Sequence, residues 1–371
     1  MKIVICIPTY NEKDNIGQTI DQLELQFKNI IGHQLSILII DDNSPDGTAS
    51  VVKQKQRQYS NLVLLSSSKK VGLGAAYIKA FNYAIDKMSA DLVFEFDADG
   101  SHKPEYIPLM IKEIEKGADV VVGSRYIKGG QMPLDWGLHR KFLSYFGNFI
   151  ARFVLFTPQY KDMTSGYRVT KVSFLKKIKL NQLFSKQFAY KIQLYYELHR
   201  LGAKIVEYPI VFIDRNQGKS KFPRNNIVES LLVVFRLRLR DSQKLIKMSV
   251  VGGFGAVVQM FLYNLFRRWF GLTLAQNLAI EGAVISNFTL NNIWTFKESK
   301  FDFNNLTRLV IGFIKFNLSS LGSILIQNFV LVAGIWLLGK SFLIENLLVS
   351  IGILLGMIVN YLMYTRVVWK K

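Results

Sequence analysis

Asp97 and Asp99 stand one residue apart in FEFDADGSH, residues 94–102 of a 371-residue chain whose formal net charge is +20. Two carboxylates at that spacing repel each other unless something positive sits between them. In an extended strand residues i and i+2 point the same way, so the two acids are expected to converge just past a strand end. Mg²⁺ or Mn²⁺ binds through one or two carboxylates and fills the rest of its shell with substrate phosphates and water. The pair therefore points to a cation that clamps a diphosphate, although a solvated acidic turn is spelled the same way. A second pair, Asp41-Asp42, opens DDNSPDGT. Asn-Ser-Pro-Asp-Gly is good turn chemistry, but a turn needs no two adjacent acids after an apolar run. Carboxylates there suit hydrogen bonds from a nucleobase or ribose. VGLGAA, residues 71–76, offers close backbone approach and a helix N-terminus for an anion. Without a full GxGxxG or a Walker lysine it establishes only a tight turn.

Positioning these groups requires a frame. KIVICIP, LSILIID, NLVLLS, DLVFEFD and DVVVGS read as buried parallel strands, nearly continuous in apolar residues. Between them lie helical stretches over 14–27, 48–58, 74–88 and 104–116, the last with Pro104 at a first helical position. Alternating strand and helix predict an open, Rossmann-like α/β sheet with ligands beyond the carboxyl ends of its strands. Those ends carry PTYNE, DDNSPDGT, DADGS and GSRY. Further on come an irregular segment, a helix over 140–156, DMTSGYRV as a loop entering another element, a helix over 187–201 and the strand IVEYPIVFI. DRNQGKSKFPRNN follows as a polar, basic loop with Gly218 and Pro223 as breakers.

From Leu245 onward the composition changes. Four apolar stretches, 248–266, 273–293, 309–337 and 343–364, approach the ~20 residues that cross a bilayer, the second weakened by Glu281 and several Asn. Residues 227–247 set Arg236, Arg238, Arg240, Lys244 and Lys247 among Leu, Val and Phe, as in a helix lying in a membrane interface. The expected division is thus a catalytic domain over 1–223, an interface helix over 224–247 and an all-α, four-helix membrane domain over 248–371. Lys297, Lys300 and Arg308 lie between the second and third stretches, and Arg366, Lys370 and Lys371 follow the fourth, whereas the alternate loops hold Arg267, Arg268 and Lys340. By the positive-inside rule both ends are cytoplasmic. Cys6, the sole cysteine, excludes an intrachain disulfide and fits a reducing compartment. The apolar start is too short for a signal peptide and reads as a first strand. Basic residues flank the spans rather than forming an aromatic-interleaved patch, which excludes nucleic acid as a partner and favours the bilayer. Glu281, Asn287, Asn291, Asn292 and Gln327 lie inside the spans, where functional roles and helix–helix hydrogen bonds explain them equally well.

PTYNE, DDNSPDGT, GLGAA, FDADGSH, GSRY and TSGYR, in this order and spacing, resemble the family-two glycosyltransferases of GT-A fold, most of all the dolichol- or polyprenol-phosphate mannose synthases. The likeness covers about residues 1–240, and NFTLNNIWTF carries a looser likeness to the GtrA-like four-helix membrane domain. The resemblance implies an inverting, metal-dependent transfer of mannose from GDP-mannose to a dolichyl or polyprenyl phosphate, with Mg²⁺ or Mn²⁺ as cofactor. It implies that Pro8, Tyr10, Glu12, Asp41 and Asp42 bind the nucleoside, with Asp97 nearby, and that Asp97, Asp99 and Ser101 surround the metal. Some relatives carry Gln where Ser101 stands. Arg125, Arg140 and Ser144 would hold the lipid phosphate, making Asp99, Arg125 and Arg140 the catalytic set. Arg215 would act on either set of phosphates; by position and composition alone, Lys219 and Lys221 in the glycine-containing loop are expected to close over the donor.

The chemistry is consistent with those roles. A phosphate monoester is already anionic at neutral pH, its second pKa being about 6, so the nucleophile needs no general base. Arginine forks grip the acceptor, a metal neutralises the donor, and in-line attack inverts the anomeric centre. A double displacement requires a carboxylate nucleophile, and the sequence nominates none. Rival readings keep the chemistry but use UDP-glucose, or make the chain a processive synthase, for which no Q-x-x-R-W motif is present. A lipid carrier or flippase with a sensing front domain is the rival from another class.

Overall fold

Strands that are apolar on every residue must be covered on both faces, and the sheet obeys. The computed structural model describes residues 1–213 and 225–370, and the chain divides into two units, Met1–Arg238 and Leu239–Lys371. In the first unit β1 (Lys2–Thr9), β2 (Gln34–Asp41), β3 (Leu62–Ser66), β4 (Leu92–Glu95), β5 (Val120–Ser124), β6 (Arg168–Lys171) and β7 (Ile205–Pro209) form one sheet. Their order is β3-β2-β1-β4-β6-β5-β7. Only β6 runs antiparallel to its neighbours, β4 and β5. Among the described residues eight α-helices accompany them: α1 (Lys13–Phe27), α2 (Thr48–Lys55), α3 (Leu73–Asp86), α4 (Tyr106–Glu115), α5 (Leu138–Val154), the short α6 (Val172–Leu175), α7 (Tyr190–Arg200) and α8 (Asn225–Asp241), which runs past the end of the first unit. The period of two along a strand sorts the core. Val4, Cys6, Leu38 and Ile40 pack with α3 and α7 on one face, and Ile3, Ile5, Ile7, Ile37 and Ile39 pack with α1 and α4 on the other.

Most elements fall where hydrophobic alternation puts them, with three differences that bear on function. The strand read as DLVFEFD ends at Glu95, and Ala98 and Asp99 lie in a turn, with Gly100 at φ +79°. Strand alternation therefore does not set the relative directions of Asp97 and Asp99; the turn does. The stretch read as a loop entering another element contributes the four residues of β6, between two parallel arms of the sheet. Pro104 precedes rather than opens α4, which begins at Tyr106 after a turn in which the Ile107 amide donates to the Pro104 carbonyl at 3.0 Å.

The basic amphipathic stretch is interrupted at Ser242, where α8 ends and α9 (Gln243–Phe266) begins. The second unit continues with α10 (Leu272–Leu290), α11 (Leu306–Leu338) and α12 (Phe342–Met363); α9 packs on α10 and α11 on α12. Four spans were expected, but among the described residues three segments are long and apolar enough to cross a bilayer: Gln243–Phe266, Leu306–Leu338 and Phe342–Val368. α10, which carries Glu281, does not reach that hydropathy. NFTLNNIWTF runs into a π-helical turn over Asn291–Thr295. There Asn292 Oδ1 accepts from the Phe301 amide (2.7 Å) and from Trp369 Nε1 (3.1 Å), and the Trp369 ring stacks on Phe296 at 4.5 Å. Asn292 thus acts in tertiary packing of the membrane unit.

The sheet conceals one ion pair. Arg168 of β6, with no exposed surface, donates through Nε and Nη2 to Glu95 Oε1 (2.8 and 2.5 Å), and Tyr190 OH donates to Glu95 Oε2 at 2.7 Å. Removing one partner of such a pair strands a buried charge and costs ~3–5 kcal/mol. Arg168→Met is therefore expected to lower the thermal midpoint of the purified protein sharply. Glu95→Leu combined with Arg168→Met should recover most of that loss; equal melting of wild type and Arg168→Met would contradict the assignment.

Candidate functional site

The carboxyl ends of β1, β2 and β4 bring the nominated donor residues to one edge of the sheet. Pro8 and Thr9 of β1 lie in register with Ile40 and Asp41 of β2. Asp41 is spent on its own turn: its Oδ1 accepts from Thr9 Oγ1 (3.2 Å) and Ser44 Oγ (2.6 Å), and its Oδ2 from the Ser44 amide. Asp42 reaches across to the glycine-rich loop, where its Oδ2 accepts from the amides of Val71 (2.7 Å) and Gly72 (3.0 Å). Its other oxygen is buried without a hydrogen-bond partner among the described residues. A buried acceptor in that state is costly unless a ligand supplies the donor. The two adjacent acids thus differ, Asp41 building the turn and Asp42 keeping an oxygen to offer. Glu12 Oε2 accepts from Asn15 Nδ2, and Lys70 Nζ lies 3.7 Å from the Tyr10 ring centroid. The glycine-rich loop is tight because Gly72 sits at φ +100°, with the Gln187 side chain where a β-carbon would project.

Asp97 is held by side chains that the sequence reading did not assign. Tyr77 OH approaches its Oδ1 at 3.4 Å and donates to the Phe96 carbonyl at 3.1 Å. His102 folds back over the turn: its Nδ1 accepts from the Asp97 amide at 3.0 Å, so the ring proton sits on Nε2, 3.5 Å from Asp97 Oδ2. The imidazole stacks on Tyr167 with centroids 4.6 Å apart. Burial lowers its pKa below the ordinary histidine value and outweighs the opposing pull of Asp97, so the ring is neutral near pH 7. Burial, then Asp97 and Glu95, hold the Tyr77 phenol well above its ordinary value, so it stays a donor. Asp99 Oδ1 accepts from the Ser101 amide at 3.1 Å.

Ser101 Oγ is buried and has no hydrogen-bond partner among the described residues. With Asp97 and Asp99 it makes a hard-oxygen set that fits Mg²⁺ or Mn²⁺. No three His, Cys, Asp or Glu side chains gather around a metal position among the described residues. A cation here would therefore take the rest of its shell from substrate phosphate and water.

The arginines nominated for the acceptor sit differently from each other. The Arg125 amide and Nε both donate to Asp162 Oδ2 (3.1 and 2.8 Å), and its Nη2 donates to Asp162 Oδ1 and Thr164 Oγ1 (2.8 and 2.9 Å). Burial alone would depress its pKa, but the Asp162 carboxylate outweighs that and keeps it charged. Its Nη1 makes no hydrogen bond among the described residues, and the guanidinium carbon lies 5.2 and 5.5 Å from the ring centroids of Tyr126 and Phe212. Arg140, in the first turn of α5, lies over the Trp136 ring at 3.9 Å. Ser144, one turn further along α5, is bonded to Tyr126 OH at 2.6 Å. The helix is tied to the DMTSGYRV loop through Asn148, which donates to Thr164 Oγ1 (2.9 Å) and accepts from the Met163 amide (2.9 Å). Asp162 was not foreseen, although an acid two residues before TSGYR was a signal for it. Arg215, Lys219 and Lys221 lie outside the described residues.

Residues 4–179 match the glycosyl transferase family 2 description, and residues 247–369 match the GtrA/DPMS transmembrane domain. The dolichol-phosphate mannosyltransferase of Pyrococcus furiosus is 31% identical over 375 residues, covering 100% of this chain and 99% of its own. The undecaprenyl-phosphate mannosyltransferase of Micrococcus luteus is 34% identical over 236 residues, 64% of this chain and 93% of its own. Among solved structures, mannosyl-3-phosphoglycerate synthase from Rubrobacter xylanophilus is similar at TM-score 0.48 and 18% identity, covering 66% of this chain and 75% of that one. The full-length relative and the two domain matches in the same order show that this membrane protein belongs to the dolichol-phosphate mannosyltransferase family, a family 2 glycosyltransferase joined to a GtrA/DPMS transmembrane domain.

Proposed function

We propose that the chain transfers mannose from GDP-mannose to the phosphate of a dolichyl or polyprenyl phosphate, inverting the anomeric centre, with Mg²⁺ or Mn²⁺ at Asp97, Asp99 and Ser101. The observation that carries the lipid acceptor is α5. Phe142, Phe146, Phe149 and Phe153 follow one another at helical spacing, all exposed, Phe153 by 68%, and neighbouring rings stack at 5.5–6.5 Å. The same helix carries Arg140 and Ser144, while Asn148 and Ala151 form its buried side. An apolar stripe of that size, left in water, is a liability, and against a bilayer or an isoprenoid tail it is an attachment. One helix thus offers a grip for a phosphate and a surface for the chain that the phosphate terminates.

In this reading Arg140 and Arg125 Nη1 draw the acceptor monoester toward the donor against the repulsion of two phosphate groups. The monoester, with its second pKa near 6, attacks without a base. Asp162 locks the Arg125 fork so that its free edge is aimed before substrate arrives, and most of the rate comes from such positioning. Asp42 accepts from the donor's base, and Asp41 holds the turn that presents it. Asp97, Asp99 and Ser101 would hold a divalent cation, which when bound would supply positive charge to the donor diphosphate and the departing nucleotide. Full-length similarity to one relative named for mannose transfer to a lipid phosphate, and similarity over 64% of this chain to a second, supports the mannose.

We further place the catalytic unit on the cytoplasmic face. The Lys and Arg distribution supports this, provided α10 crosses as a fourth span despite Glu281, because three crossings would put the two ends on opposite sides. The division into a catalytic domain over 1–223, an interface helix over 224–247 and a membrane domain over 248–371 is part of the same proposal.

The deciding assay offers the detergent-solubilised chain labelled GDP-mannose or UDP-glucose with a short polyprenyl phosphate, with and without EDTA. Mannosyl lipid should form from GDP-mannose only and cease in excess chelator, and Asp99→Asn should lose ~100-fold or more of the turnover. Glucosyl lipid, or undiminished transfer in EDTA, contradicts the proposal. The double change Phe146→Ser, Phe149→Ser is expected to raise the acceptor KM several-fold and leave the KM for GDP-mannose unchanged. An equal rise in both would remove α5 from the acceptor site.

A further inference from the structure

Lys191 stands in the first turn of α7 and is 3% exposed. A lysine so deep is almost never found without a purpose or a partner. Lys191 makes no ion pair among the described residues. Its ammonium occupies the space that a β-carbon on Gly166 would take, and Asp97 Oδ2 lies 3.5 Å from that same point. Gly166 belongs to the TSGYR stretch, so its missing side chain is what lets the ammonium reach the neighbourhood of Asp97. The local backbone aims the stem: the Lys191 carbonyl accepts from Arg168 Nη1 at 3.4 Å, and its neighbour Tyr190 is bonded to Glu95. Phe188 flanks the ammonium at 5.2 Å from its ring centroid. The positive charge near Asp97 is felt by its neighbours, since Lys191 is among the influences that depress His102.

We propose that Lys191 supplies a resident positive charge to the donor site, sharing Asp97 with the divalent cation and gripping an anionic oxygen of the donor's diphosphate. A divalent cation held by Asp97 and Asp99 would meet a like charge already beside Asp97, and both charges would favour the diphosphate. Two consequences follow from the electrostatics. Lys191 weakens the binding of metal alone, because it competes for Asp97, and it strengthens the binding of nucleoside diphosphate when no metal is present. Lys191 acts directly on the donor and needs no proton transfer. The inference rests on the donor being a nucleoside diphosphate sugar.

The test uses the full chain in detergent. Calorimetry measures GDP and UDP binding in EDTA and in Mn²⁺, and electron paramagnetic resonance measures Mn²⁺ binding without nucleotide. In Lys191→Gln, GDP affinity in EDTA should fall at least tenfold, while Mn²⁺ should bind the nucleotide-free protein several-fold more tightly. A structural lysine would change the melting temperature but would not move these two affinities in opposite directions. Lys191→Met, which keeps a long apolar stem, repeats the test if Lys191→Gln does not fold. Unchanged GDP affinity in EDTA, or weaker Mn²⁺ binding in the variants, overturns the inference and leaves the proposed reaction standing. If UDP and not GDP binds and shows the dependence on Lys191, the donor assignment falls and the role of Lys191 stands. Failure of wild type to bind either nucleotide in Mn²⁺ overturns both.

Discussion

The site depends on a charge pair that touches no substrate. Glu95 and Arg168 face each other in register across the antiparallel β4–β6 pair, and Tyr190 closes the arrangement from α7. Three pieces of the chain are fixed relative to one another by this buried contact. Asp97 lies two residues beyond Glu95, Gly166 two residues before Arg168, and Lys191 immediately after Tyr190. Burial and the Glu95 charge hold the Tyr190 phenol well above its ordinary value, so it remains a hydrogen-bond donor to the carboxylate. A well-packed apolar substitute for such a pair often contributes as much stability. What apolar residues cannot reproduce is the directional tie among β4, β6 and α7, and directional precision is what a site of opposed charges requires.

Charge opposition also explains the other side of the site. A donor diphosphate and an acceptor phosphate repel, and the surrounding chain must counter that with cations whose positions do not drift. Arg125 is restrained by a fork-to-fork pair with Asp162, which is itself held by Glu207: the Glu207 Oε1 and Oε2 accept from the Asp162 and Lys161 amides at 2.7 and 2.8 Å. Burial raises the Glu207 pKa, opposed by those same amide bonds. The carboxylates behind the arginine thus serve as its mount, and the guanidinium edge that remains open is fixed before anything binds. Arg140, in a cation–π contact over Trp136, stands on the helix that carries the aromatic stripe. In the proposed acceptor site the restrained cation would orient the acceptor at the reacting centre and Arg140 would capture the incoming anion.

Much of the frame could be read directly from the sequence because its strands are so apolar. KIVICIP and LSILIID leave no polar face, so burial on both sides and a parallel sheet follow, and the polar turns after them mark the ligand edge. β6 was hidden for the opposite reason. RVTK begins with an arginine, and nothing local shows that its charge is cancelled by Glu95, 73 residues earlier. The same holds for Lys191, which in sequence is one of many helix lysines and is distinguished only by a glycine 25 residues away. Asp97 and Asp99 were legible as a pair, but their geometry was not. The strand stops at Glu95, and the reversal at Gly100, with His102 returning to the Asp97 amide, decides where each carboxylate goes. α10 shows the limit of hydropathy. Its Glu281 and asparagines dilute an apolar helix below what crossing by composition demands, yet it packs along α9 as a member of the membrane unit.

α5 connects these observations. Its exposed face is aromatic and its buried face carries Asn148, whose amide grips Thr164 and the Met163 backbone, while Thr164 in turn bonds Arg125. A helix that settled on an apolar phase by its phenylalanines would therefore bear, through one asparagine and one threonine, on the Arg125 guanidinium. The path is short and made of hydrogen bonds with fixed directions, and it ties α5 to the Asp162–Arg125 fork. Under the proposed acceptor site, a lipid surface that seats α5 by its phenylalanines would also bear on that fork.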